Sequence, residues 1–352
     1  MVIKRIKSKL SFILRHRIIK VRKSPNPIKW GVIGLGYMAE TFARAIDGNK
    51  DGIVYAVASR DITKARRFAT KHGHCKAFGS YESMVMNHDL NLDIIYIATP
   101  AKYHYEHIKL CLNAGKNVLC EKPITINHQQ LEELIRLAKE NNCFLMEGMW
   151  MKCLPTIKKA MEWIDCGEIG ILNLIRIDFY KRSQIRQDLS IYNSDEGGGV
   201  LQDFGVYAIA FMTHFFKGLP EIKASFMRKS SYGIDSDWQI HASKAGVDAV
   251  VNISSNFGGL SKAAIIGNDG MIEWDSQFNR TNRICLYDKK GKLKEEYKVR
   301  YQFEGFEYEI NEVQKCIRAG RVESQLVTLN DSMMTIYLVD QLIKNSKYDR
   351  TI

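Results

Sequence analysis

Lysine, aspartate and tyrosine side chains that could hold or move a proton lie in two short stretches of the sequence. The first, residues 117–123, is an apolar run that ends in Glu121, Lys122 and Pro123. It is too short for an independent helix and is typical of a buried parallel strand. Ligands of open parallel sheets bind at the carboxyl ends of the strands, so Lys122 is predicted to face a binding cleft. Alone, Glu-Lys-Pro is equally consistent with a solvated charge pair at a strand end.

The second stretch, residues 197–207, reads Gly-Gly-Gly-Val-Leu-Gln-Asp-Phe-Gly-Val-Tyr and is predicted to lead into a helix that continues through Phe216. The glycines permit a tight approach of the backbone to its neighbours. Asp203 and Tyr207 are four residues apart, so both side chains are predicted on one helix face. An acid and a phenol are unusual on an otherwise apolar helix, and this makes the pair a candidate site.

A glycine-rich turn near the start of the chain has a pattern that suits a dinucleotide. Residues 34–39 follow a predicted strand and fit G-x-G-x-x-A, in which the first glycine permits a tight turn and the second lets a pyrophosphate approach the backbone. The helix that follows supplies N–H groups and a partial positive charge for the phosphates. The predicted cofactor contacts in this turn are Gly34, Gly36, Tyr37 and Met38.

The end of the second predicted strand, residues 53–58, indicates which dinucleotide binds. An NAD-preferring site usually has an acid at this place, which holds the ribose 2′-hydroxyl. This chain has Ser59 and then Arg60, and a hydroxyl with a guanidinium suits a 2′-phosphate. NADP is therefore the preferred cofactor and NAD the alternative. Asp61 is predicted to cap the next helix, where Lys64 is a further candidate contact. The alternative for Arg60 is an ordinary surface position.

Strands and helices alternate as far as residue 150, which predicts the class α/β, with an NAD(P)-binding Rossmann domain of doubly wound parallel sheet over residues 28–150. His104 is predicted at a helix start beside the nicotinamide pocket. As an isolated histidine it is better explained as a structural hydrogen-bond partner than as a catalyst. The candidate cofactor contacts at these strand ends are Ala98, Thr99, Pro100, His104, Glu121 and Lys122.

Residues 151–352 are predicted to form an α+β substrate and dimerisation domain with a large, mostly antiparallel open sheet. The pattern between residues 221 and 299 has a period of two, and glycine-containing turns separate the runs. Two closing helices, near residues 306–319 and 331–344, would cover one face of the sheet. The other face must also be buried, which predicts a homodimer or higher homo-oligomer.

Composition limits the class of protein. The 352 residues suffice for two domains. No apolar run approaches the ~20 residues of a membrane span. The eight cysteines are scattered, without a CxxC pair or a Cys/His spacing that suits zinc, so no metal site is expected. Such a pattern is typical of reduced thiols in a cytoplasmic protein.

The net charge of +12 comes mostly from residues 1–27, a basic N-terminal extension. It holds nine of the 51 basic residues and no acid, which leaves 42 basic against 39 acidic residues elsewhere. Its apolar residues have helical spacing, so an amphipathic helix could contact an anionic membrane surface. The alternative is a solvated extension. No nucleic-acid partner is expected. Charges interrupt it too often for a signal peptide. Residues 24–27, Ser-Pro-Asn-Pro, are predicted to be a linker.

Seven separated motifs resemble the Gfo/Idh/MocA oxidoreductase family and, within it, the branch of dimeric dihydrodiol (D-xylose) dehydrogenases. In order they read GVIGLGYMA, VASRDITKARRFATKHG, AFGSYE, IATPAKYH, CLNAGKNVLCEKPI, FLMEGMWMKCLP and GGGVLQDFGVYAI. The resemblance implies an NAD(P)-binding Rossmann domain followed by a substrate domain. It implies that Lys122 touches the nicotinamide ribose and the substrate hydroxyl, and that Asp203 and Tyr207 occupy the family's Asp and His/Tyr positions. It also implies that Trp150 lines the substrate pocket.

The activity that this resemblance implies is reversible hydride transfer between nicotinamide and a carbinol carbon of a sugar or diol. Because the alcohol proton must leave as the hydride does, a general base is needed, and Tyr207 is the candidate. Its ordinary pKa, ~10, is too high for that role. Lys122 is expected to lower it by favouring the phenolate, while Asp203 orients the lysine and partly cancels its field.

Two other functions stay open. A nucleotide-sugar oxidoreductase of surface-polysaccharide assembly would need cations for a diphosphate, and Arg176, Arg182 and Arg186 are candidates that could equally be solvated. A non-catalytic cofactor-binding regulator is the other alternative. Residues 152–155, Lys-Cys-Leu-Pro, differ from the Arg-Phe-Phe-Pro of the resembling branch. The candidate substrate contacts are Trp150, Arg176 and Tyr180.

Overall fold

Two β-sheets organise the chain. The computed structural model describes residues 21–182, 198–231, 233–256, 258–259, 261–275, 277–345 and 347–348. The first sheet has six parallel strands and the second has nine strands, most of them antiparallel. The predicted class, a doubly wound parallel sheet followed by an α+β domain with a large open sheet, is confirmed. Most of the predicted basic extension, residues 1–20, and Arg186 lie outside the described residues.

The parallel sheet is built from short apolar strands. They are β1 (Ile28–Ile33), β2 (Gly52–Ala58), β3 (Lys76–Phe78), β4 (Ile94–Ile97), β5 (Val118–Glu121) and β6 (Leu145–Gly148). Their spatial order is β3-β2-β1-β4-β5-β6, so the strand order reverses between β1 and β4. Strands β4, β5 and β6 are buried along their whole length, as expected where helices cover both faces of a sheet.

Five helices connect these strands. They are α1 (Tyr37–Asp47), α2 (Ile62–Lys71), α3 (Tyr81–Val85), α4 (His104–Asn113) and α5 (His128–Glu140). The predicted cap of α2 is confirmed, because the Asp61 carboxylate accepts hydrogen bonds from the N–H groups of Thr63 (2.8 Å) and Lys64. Asn127 likewise caps α5 by accepting from the N–H of Gln130 at 2.9 Å. These caps satisfy N–H groups that the helices themselves cannot.

The second sheet is open and mixed. Its strands are β7 (Leu172–Tyr180), β8 (Glu221–Lys229), β9 (Asp235–Lys244), β10 (Val247–Ser254), β11 (Lys262–Gly267), β12 (Gly270–Trp274), β13 (Arg283–Asp288), β14 (Leu293–Lys298) and β15 (Lys347–Tyr348). Their order is β14-β13-β12-β11-β7-β10-β9-β8-β15. The pairs β7–β10 and β8–β15 are parallel and the other pairs are antiparallel.

Two helices, α6 (Pro155–Asp165) and α7 (Val206–Phe216), pack on one face of this sheet. Two more follow later in the chain, α8 (Phe306–Arg318), which packs on α1, and α9 (Leu329–Asn345). Helix α7 packs on β7 and β10, and nearly all its side chains are buried. Along β7, Ile177 and Phe179 are buried on the helix side, whereas Arg176 and Asp178 lie on the opposite face. On that opposite face Phe226 of β8 is half exposed.

The last helix joins the two sheets. Helix α9 packs on α5 and α7. The Ser332 hydroxyl donates to the Glu147 carboxylate at 2.6 Å, and His128 Nδ1 lies 2.5 Å from Asp340 Oδ2. The carboxyl-terminal part of the chain therefore braces the edge of the parallel sheet at β6.

Residues 23–26, which include most of the predicted linker 24–27, lie against neighbouring parts of the fold. The Lys23 ammonium donates three hydrogen bonds, to the carbonyls of Ile46 (2.9 Å), Asp47 (3.0 Å) and Asn49 (2.7 Å). These carbonyls are at the end of α1, where a cation is favoured by the helix dipole. The chain thus enters the fold at the amino-terminal edge of the parallel sheet, away from the carboxyl ends of its strands.

Candidate active site

A cleft of about 760 Å³ lies between the carboxyl ends of the parallel strands and the helix-covered side of the second sheet. It includes the ends of β4 and β5 and the first turn of α1, so it lies at the point where the strand order reverses. Open α/β sheets bind ligands at this point. Twelve of the predicted site residues line the cleft: Tyr37, Met38, Ala98, Thr99, Pro100, His104, Glu121, Lys122, Trp150, Tyr180, Asp203 and Tyr207.

The glycine-rich turn has room for a pyrophosphate. Gly34 has φ +81°, and a Cβ there would lie 2.4 Å from the backbone nitrogen of Thr99, so no other residue fits. A Cβ on Gly36 would meet only the Gly34 carbonyl oxygen, at 4.0 Å, so the space above it is open. No side chain caps α1, which begins at the next residue, and its first N–H groups are left for a ligand. This turn fits a dinucleotide phosphate.

Ser59 and Arg60 follow β2, the neighbour of β1, and so lie beside the glycine-rich turn. Ser59 is buried, and its hydroxyl accepts a hydrogen bond from the N–H of Asp61 at 3.2 Å. Arg60 is exposed; burial raises the pKa of the nearby Tyr81 phenol, and the charge of Arg60 opposes that rise. Lys64 is exposed on α2. These residues lie outside the cleft wall described above.

His104 joins the two loops that follow β4 and β5. Its Nδ1 lies 2.8 Å from the carbonyl oxygen of Pro123, and its Nε2 lies 2.7 Å from that of Thr99. Burial lowers the pKa of His104 to about 4, although both carbonyls favour the charged ring. The Thr99 hydroxyl pairs with Nδ1 of His107 at 2.9 Å. Both histidines therefore hold the cleft wall in place.

Lys122 brings the two candidate stretches together. Its ammonium donates a hydrogen bond to the backbone carbonyl of Asp203 and lies 3.5 Å from Oδ1 of the same residue. It also lies over the ring of Tyr207, 5.4 Å from the ring centre. The side chain is only 15% exposed, so these contacts are weakly screened by solvent. The peptide bond between Lys122 and Pro123 is cis.

The turn that carries Asp203 is wider than the regular helix that was predicted. Residues Leu201–Gly205 form a π-helical turn that runs directly into α7. The N–H of Leu201 donates to the carboxylate of Asp235 at 2.8 Å, so the start of the turn is fixed from another strand. Single π-turns within helices are rare and are frequently found at functional sites. Asp203 and Tyr207 still both face the cleft.

The direction of the Tyr207 pKa corrects the expectation for this residue. Burial raises the pKa of Tyr207 well above its ordinary value; Glu121 and Glu309 raise it further, and the Trp150 side chain opposes the rise. Lys122 was expected to lower this pKa, but desolvation and the neighbouring carboxyl groups outweigh its effect. Tyr207 is thus a neutral phenol near neutral pH.

Buried carboxyl groups lie beneath the cleft. Glu121 accepts a hydrogen bond from the Tyr96 hydroxyl at 2.5 Å, and burial raises its pKa. Glu309 of α8 has no exposed surface, and neither of its carboxyl oxygens has a hydrogen-bond partner among the described residues. Burial raises the pKa of Glu309 well above its ordinary value, and Glu121 adds to the shift. Burial of Glu309 therefore favours its neutral form.

Trp150 forms part of an aromatic wall. Its ring lies against that of Phe306, with 4.7 Å between the ring centres. Lys152, in the segment that departs from the resembling branch, does not line the cleft: it is buried, and its ammonium lies 3.2 Å from Oδ2 of Asp331 at the start of α9. This sequence difference from the resembling branch therefore affects the packing behind the aromatic wall.

One of the predicted substrate residues, Arg176, lies elsewhere than expected, and Tyr180 only partly faces the cleft. Arg176 is on the sheet face away from the cleft, where its Nε donates to Asp178 Oδ2 at 3.1 Å, so its assignment as a substrate contact is corrected. The Tyr180 hydroxyl donates to Oδ1 of Asp178 at 2.9 Å, although part of the residue lines the cleft. Alternation along β7 places these two on the same face. Arg182 is exposed just beyond the strand.

Several cleft residues were missed by the sequence analysis. They come from the end of β7, the π-helical turn, the loop after β12 and the start of α8 with the residues before it, and their spacing in sequence gives no periodic signal. Only the polar and aromatic composition of residues 277–280 and 303–306 could have suggested them. These residues are Phe179, Lys181, Gln202, Gln277, Asn279, Arg280, Glu304 and Phe306.

Within the described residues, no group of three or more His, Cys, Asp or Glu side chains could hold a metal ion. The same part of the chain contains no helix with the length and apolar character needed to cross a membrane. All eight cysteines are unpaired.

Comparison with known proteins agrees with this geometry. Residues 28–149 match a family described as "Oxidoreductase family, NAD-binding Rossmann fold", and residues 157–273 match one described as "GFO/IDH/MocA C-terminal domain". The trans-1,2-dihydrobenzene-1,2-diol dehydrogenase of Xenopus tropicalis is 31% identical over 324 residues, which cover 90% of this chain and 97% of that protein. The Homo sapiens enzyme of the same name is 28% identical over 328 residues, with 90% and 96% covered.

Solved structures show the same fold. A 3-ketoreductase from Actinomadura kijaniata, in complex with NADP and TDP-benzene, has a TM-score of 0.82 at 24% identity and covers 92% of this chain and 100% of that one. An aldose-aldose oxidoreductase from Caulobacter crescentus has a TM-score of 0.79 at 18% identity, with 91% and 97% covered.

Proposed function

Because this chain belongs to the GFO/IDH/MocA oxidoreductase family, we infer that its cleft transfers hydride between a nicotinamide cofactor and the carbinol or carbonyl carbon of a sugar or diol. The chain is an NAD-binding oxidoreductase by family. The observation that supports the site assignment is the meeting of Lys122, Asp203 and Tyr207 in a cleft that begins at an open phosphate-binding turn.

The three side chains would divide the proton chemistry between them. When bound, the nicotinamide supplies or accepts the hydride. Lys122 holds the reacting oxygen by a hydrogen bond and offsets the negative charge that develops on it. Tyr207, as a neutral phenol, donates a proton to that oxygen when a carbonyl is reduced and takes it back when an alcohol is oxidised. The Asp203 carbonyl keeps the lysine in place.

The raised pKa of Tyr207 favours one direction of reaction. A neutral phenol is ready to act as a general acid, whereas alcohol oxidation requires a group that can accept a proton. Carbonyl reduction is therefore the direction for which the resting site is prepared. Binding of a positively charged nicotinamide ring beside the phenol would favour the phenolate and support the reverse direction.

We propose NADP as the preferred cofactor. Ser59 and Arg60 stand where an NAD-preferring site has an acid, and the exposed Arg60 guanidinium is available to a 2′-phosphate. The glycine-rich turn would hold the pyrophosphate, and the wall formed by Thr99 and Pro100 would bound the nicotinamide half.

The cleft wall suits a polyhydroxylated substrate. Trp150, Phe179 and Phe306 offer apolar faces, and the amides of Gln202, Gln277 and Asn279 offer donors and acceptors beside them. Such a combination can stack against the C–H face of a sugar or cyclic diol and hydrogen-bond its hydroxyls. The names of the dihydrodiol dehydrogenase relatives agree with a vicinal diol as the substrate class.

Two cations in the wall favour a second candidate, a nucleotide-sugar oxidoreductase. Lys181 and Arg280 line the cleft and could face a diphosphate. Lys181 lies over the ring of Phe204, 5.7 Å from its centre, and Arg280 donates to the side chain of Gln277. Because these partners are neutral, the positive charges of Lys181 and Arg280 remain available to bind a diphosphate.

Nicotinamide absorbance measures turnover in both directions. Oxidation is followed with NADP+ and D-xylose, D-glucose or trans-1,2-dihydrobenzene-1,2-diol. Reduction is followed with NADPH and ketosugars derived from dTDP-glucose. Turnover of a free sugar or diol that is lost in Lys122→Met supports the first candidate. Turnover confined to the nucleotide sugars supports the second. Tight NADPH binding without turnover of any of them would contradict both.

The surroundings of the enzyme are a further part of the proposal. We propose a homodimer through the open face of the second sheet, where Phe226 is half exposed. We also propose a cytoplasmic location, in which the eight unpaired cysteines stay reduced. We also propose that the basic extension, residues 1–27, contacts anionic lipid, since it carries nine basic side chains and no acid. Loss of binding to phosphatidylserine vesicles on deletion of residues 1–20 tests that contact.

A further inference from the structure

Asp235, the first residue of β9, lies against the turn that carries Asp203. Its Oδ2 accepts hydrogen bonds from the N–H of Leu201 at 2.8 Å and from the indole N–H of Trp238 at 2.7 Å. Burial raises the pKa of Asp235, and the hydrogen bonds from Trp238 and Leu201, with the N–H of Val200 beside them, oppose that rise. The first N–H groups of a helix have no partner within the helix, and a negative charge is favoured beside them. A carboxylate from a distant strand therefore caps the helix that contains the candidate site.

Gly199 makes room for this carboxylate. It has φ +115°, and a Cβ at this position would lie 1.8 Å from Asp235 Oδ1. Its own carbonyl accepts a hydrogen bond from the N–H of Asp203 at 3.1 Å. The third glycine of the Gly-Gly-Gly motif is thus required by the approach of Asp235 and not by a ligand.

The capped turn determines where Lys122 is held. The π-helical turn Leu201–Gly205 begins at the N–H group that donates a hydrogen bond to Asp235. The third residue of the turn is Asp203, and its carbonyl accepts a hydrogen bond from the Lys122 ammonium. Tyr207 follows in the next turn, beneath the same ammonium. A shift in the start of the turn would move both residues together.

We propose that Asp235 is a positioning residue for hydride transfer: it fixes the π-helical turn so that the Asp203 carbonyl and the Tyr207 ring both meet Lys122. Asp235 itself does not line the cleft, and it acts through the backbone of residues 200 and 201. The inference rests on the proposed function for its kinetic consequence, but the geometry of the turn can be tested without turnover.

The substitution Asp235→Asn keeps the size of the side chain, removes its charge and leaves one acceptor oxygen for the N–H groups of Leu201 and Trp238. Misplacement of a reacting group on the order of 1 Å costs about 10²-fold in rate. We expect kcat to fall roughly 10- to 100-fold with NADP+ and D-xylose as the probe, while the Kd for NADPH stays within about twofold. Trp238→Phe removes only one of the donors and should lower kcat less.

Asp237 provides the matched control on the same strand. Its carboxylate accepts from the hydroxyls of Ser236 (2.7 Å) and Ser254 (2.6 Å) and from the side chain of Asn256, and it does not contact the turn. Asp237→Asn removes a comparable bonded carboxylate, so it should affect thermal stability to a similar degree and leave kcat unchanged.

Hydrogen exchange, followed by mass spectrometry on the full chain, measures the turn directly. The amides of residues 200–205 should exchange at least tenfold faster in Asp235→Asn and at the wild-type rate in Asp237→Asn. Unchanged exchange in Asp235→Asn, or an equal fall of kcat in the two variants, would overturn the proposal. If the wild-type enzyme turns over none of the probe sugars, the proposed function fails, and the exchange rates still decide whether Asp235 fixes the turn.

Discussion

The Lys122 ammonium donates a hydrogen bond to the backbone carbonyl of Asp203, and the carboxylate of the same residue is farther away, at 3.5 Å. The lysine is therefore held mainly by the main chain of the π-helical turn. A side-chain substitution at residue 203 leaves that carbonyl in place, whereas a substitution of the lysine removes the interaction altogether.

This difference predicts unequal effects of two substitutions. Lys122→Met keeps most of the length of the side chain and removes the donor to the reacting oxygen, so kcat should fall by roughly 10²–10⁴-fold. Asp203→Asn keeps the carbonyl and should cost only on the order of tenfold. Steady-state kinetics on the purified variants measures both, and an Asp203→Asn enzyme that is as slow as Lys122→Met would show that the carboxylate has a direct catalytic role.

Tyr207→Phe removes the proton donor and leaves the aromatic surface that lies beneath Lys122. We expect a fall in turnover of roughly 10²–10⁴-fold with NADPH binding unchanged. Tyr301→Phe is the control, because that hydroxyl donates to the carbonyl of Thr281 (2.7 Å) outside the cleft. Wild-type turnover in Tyr207→Phe would rule out the phenol as the acid. Because burial raises the pKa of Tyr207, the reduction rate of the native enzyme should hold to alkaline pH.

Arg60→Ala tests the choice of cofactor. Loss of a guanidinium from a 2′-phosphate should weaken NADPH binding by roughly 10- to 100-fold, or about 1.4–2.8 kcal/mol, and leave NADH binding unchanged. Arg67→Ala removes an exposed arginine from the far part of α2 and serves as the control. A titration of nicotinamide fluorescence measures both affinities. Tighter binding of NADH than NADPH by the native protein would overturn the preference.

Glu309→Gln tests the buried carboxyl beneath the cleft. Burial raises the pKa of Glu309 above the ordinary value of 4.5, so above that pH the folded state keeps a proton that the unfolded state loses. Stability therefore falls as pH rises, by up to about 1.4 kcal/mol per pH unit for such a group. The variant should lose this component between pH 4.5 and neutrality, as measured by urea unfolding at several pH values.

The control for that measurement is Glu132→Gln, on the exposed side of α5. Its pH dependence should match the native curve. If Glu309→Gln also follows the native curve, then Glu309 is charged in the folded protein and must have a counter-ion or water that stabilises it.

Local signals were enough to predict the parallel sheet and the residues at its carboxyl ends. Gly34 and Lys122 were identified because each adjoins a short apolar strand, and the backbone conformation of a strand–turn–helix unit is determined by residues within a few positions of it. The Asp61 cap was predicted for the same reason. Features whose conformation depends on residues a few positions away can therefore be predicted from the sequence.

The environment of Tyr207 could not be predicted in this way. Its pKa is controlled by burial and by Glu121 and Glu309, and the latter is about a hundred positions away in the sequence. The assignment of Arg176 failed for a related reason: alternation identifies two faces of β7 but does not say which one the helices cover. Cleft residues such as Arg280 come from loops whose course depends on the packing of the whole second sheet.

The most direct test of the central claim is transfer of deuterium from NADPH labelled at its transferable hydrogen to the carbonyl carbon of a ketosugar or hydroxyketone, followed by mass spectrometry of the product. The account predicts one deuterium per product molecule with the native protein and at least a hundredfold less product in the same time with Lys122→Met. Labelled NADPH that binds tightly and yields no labelled product with any carbonyl substrate would contradict it.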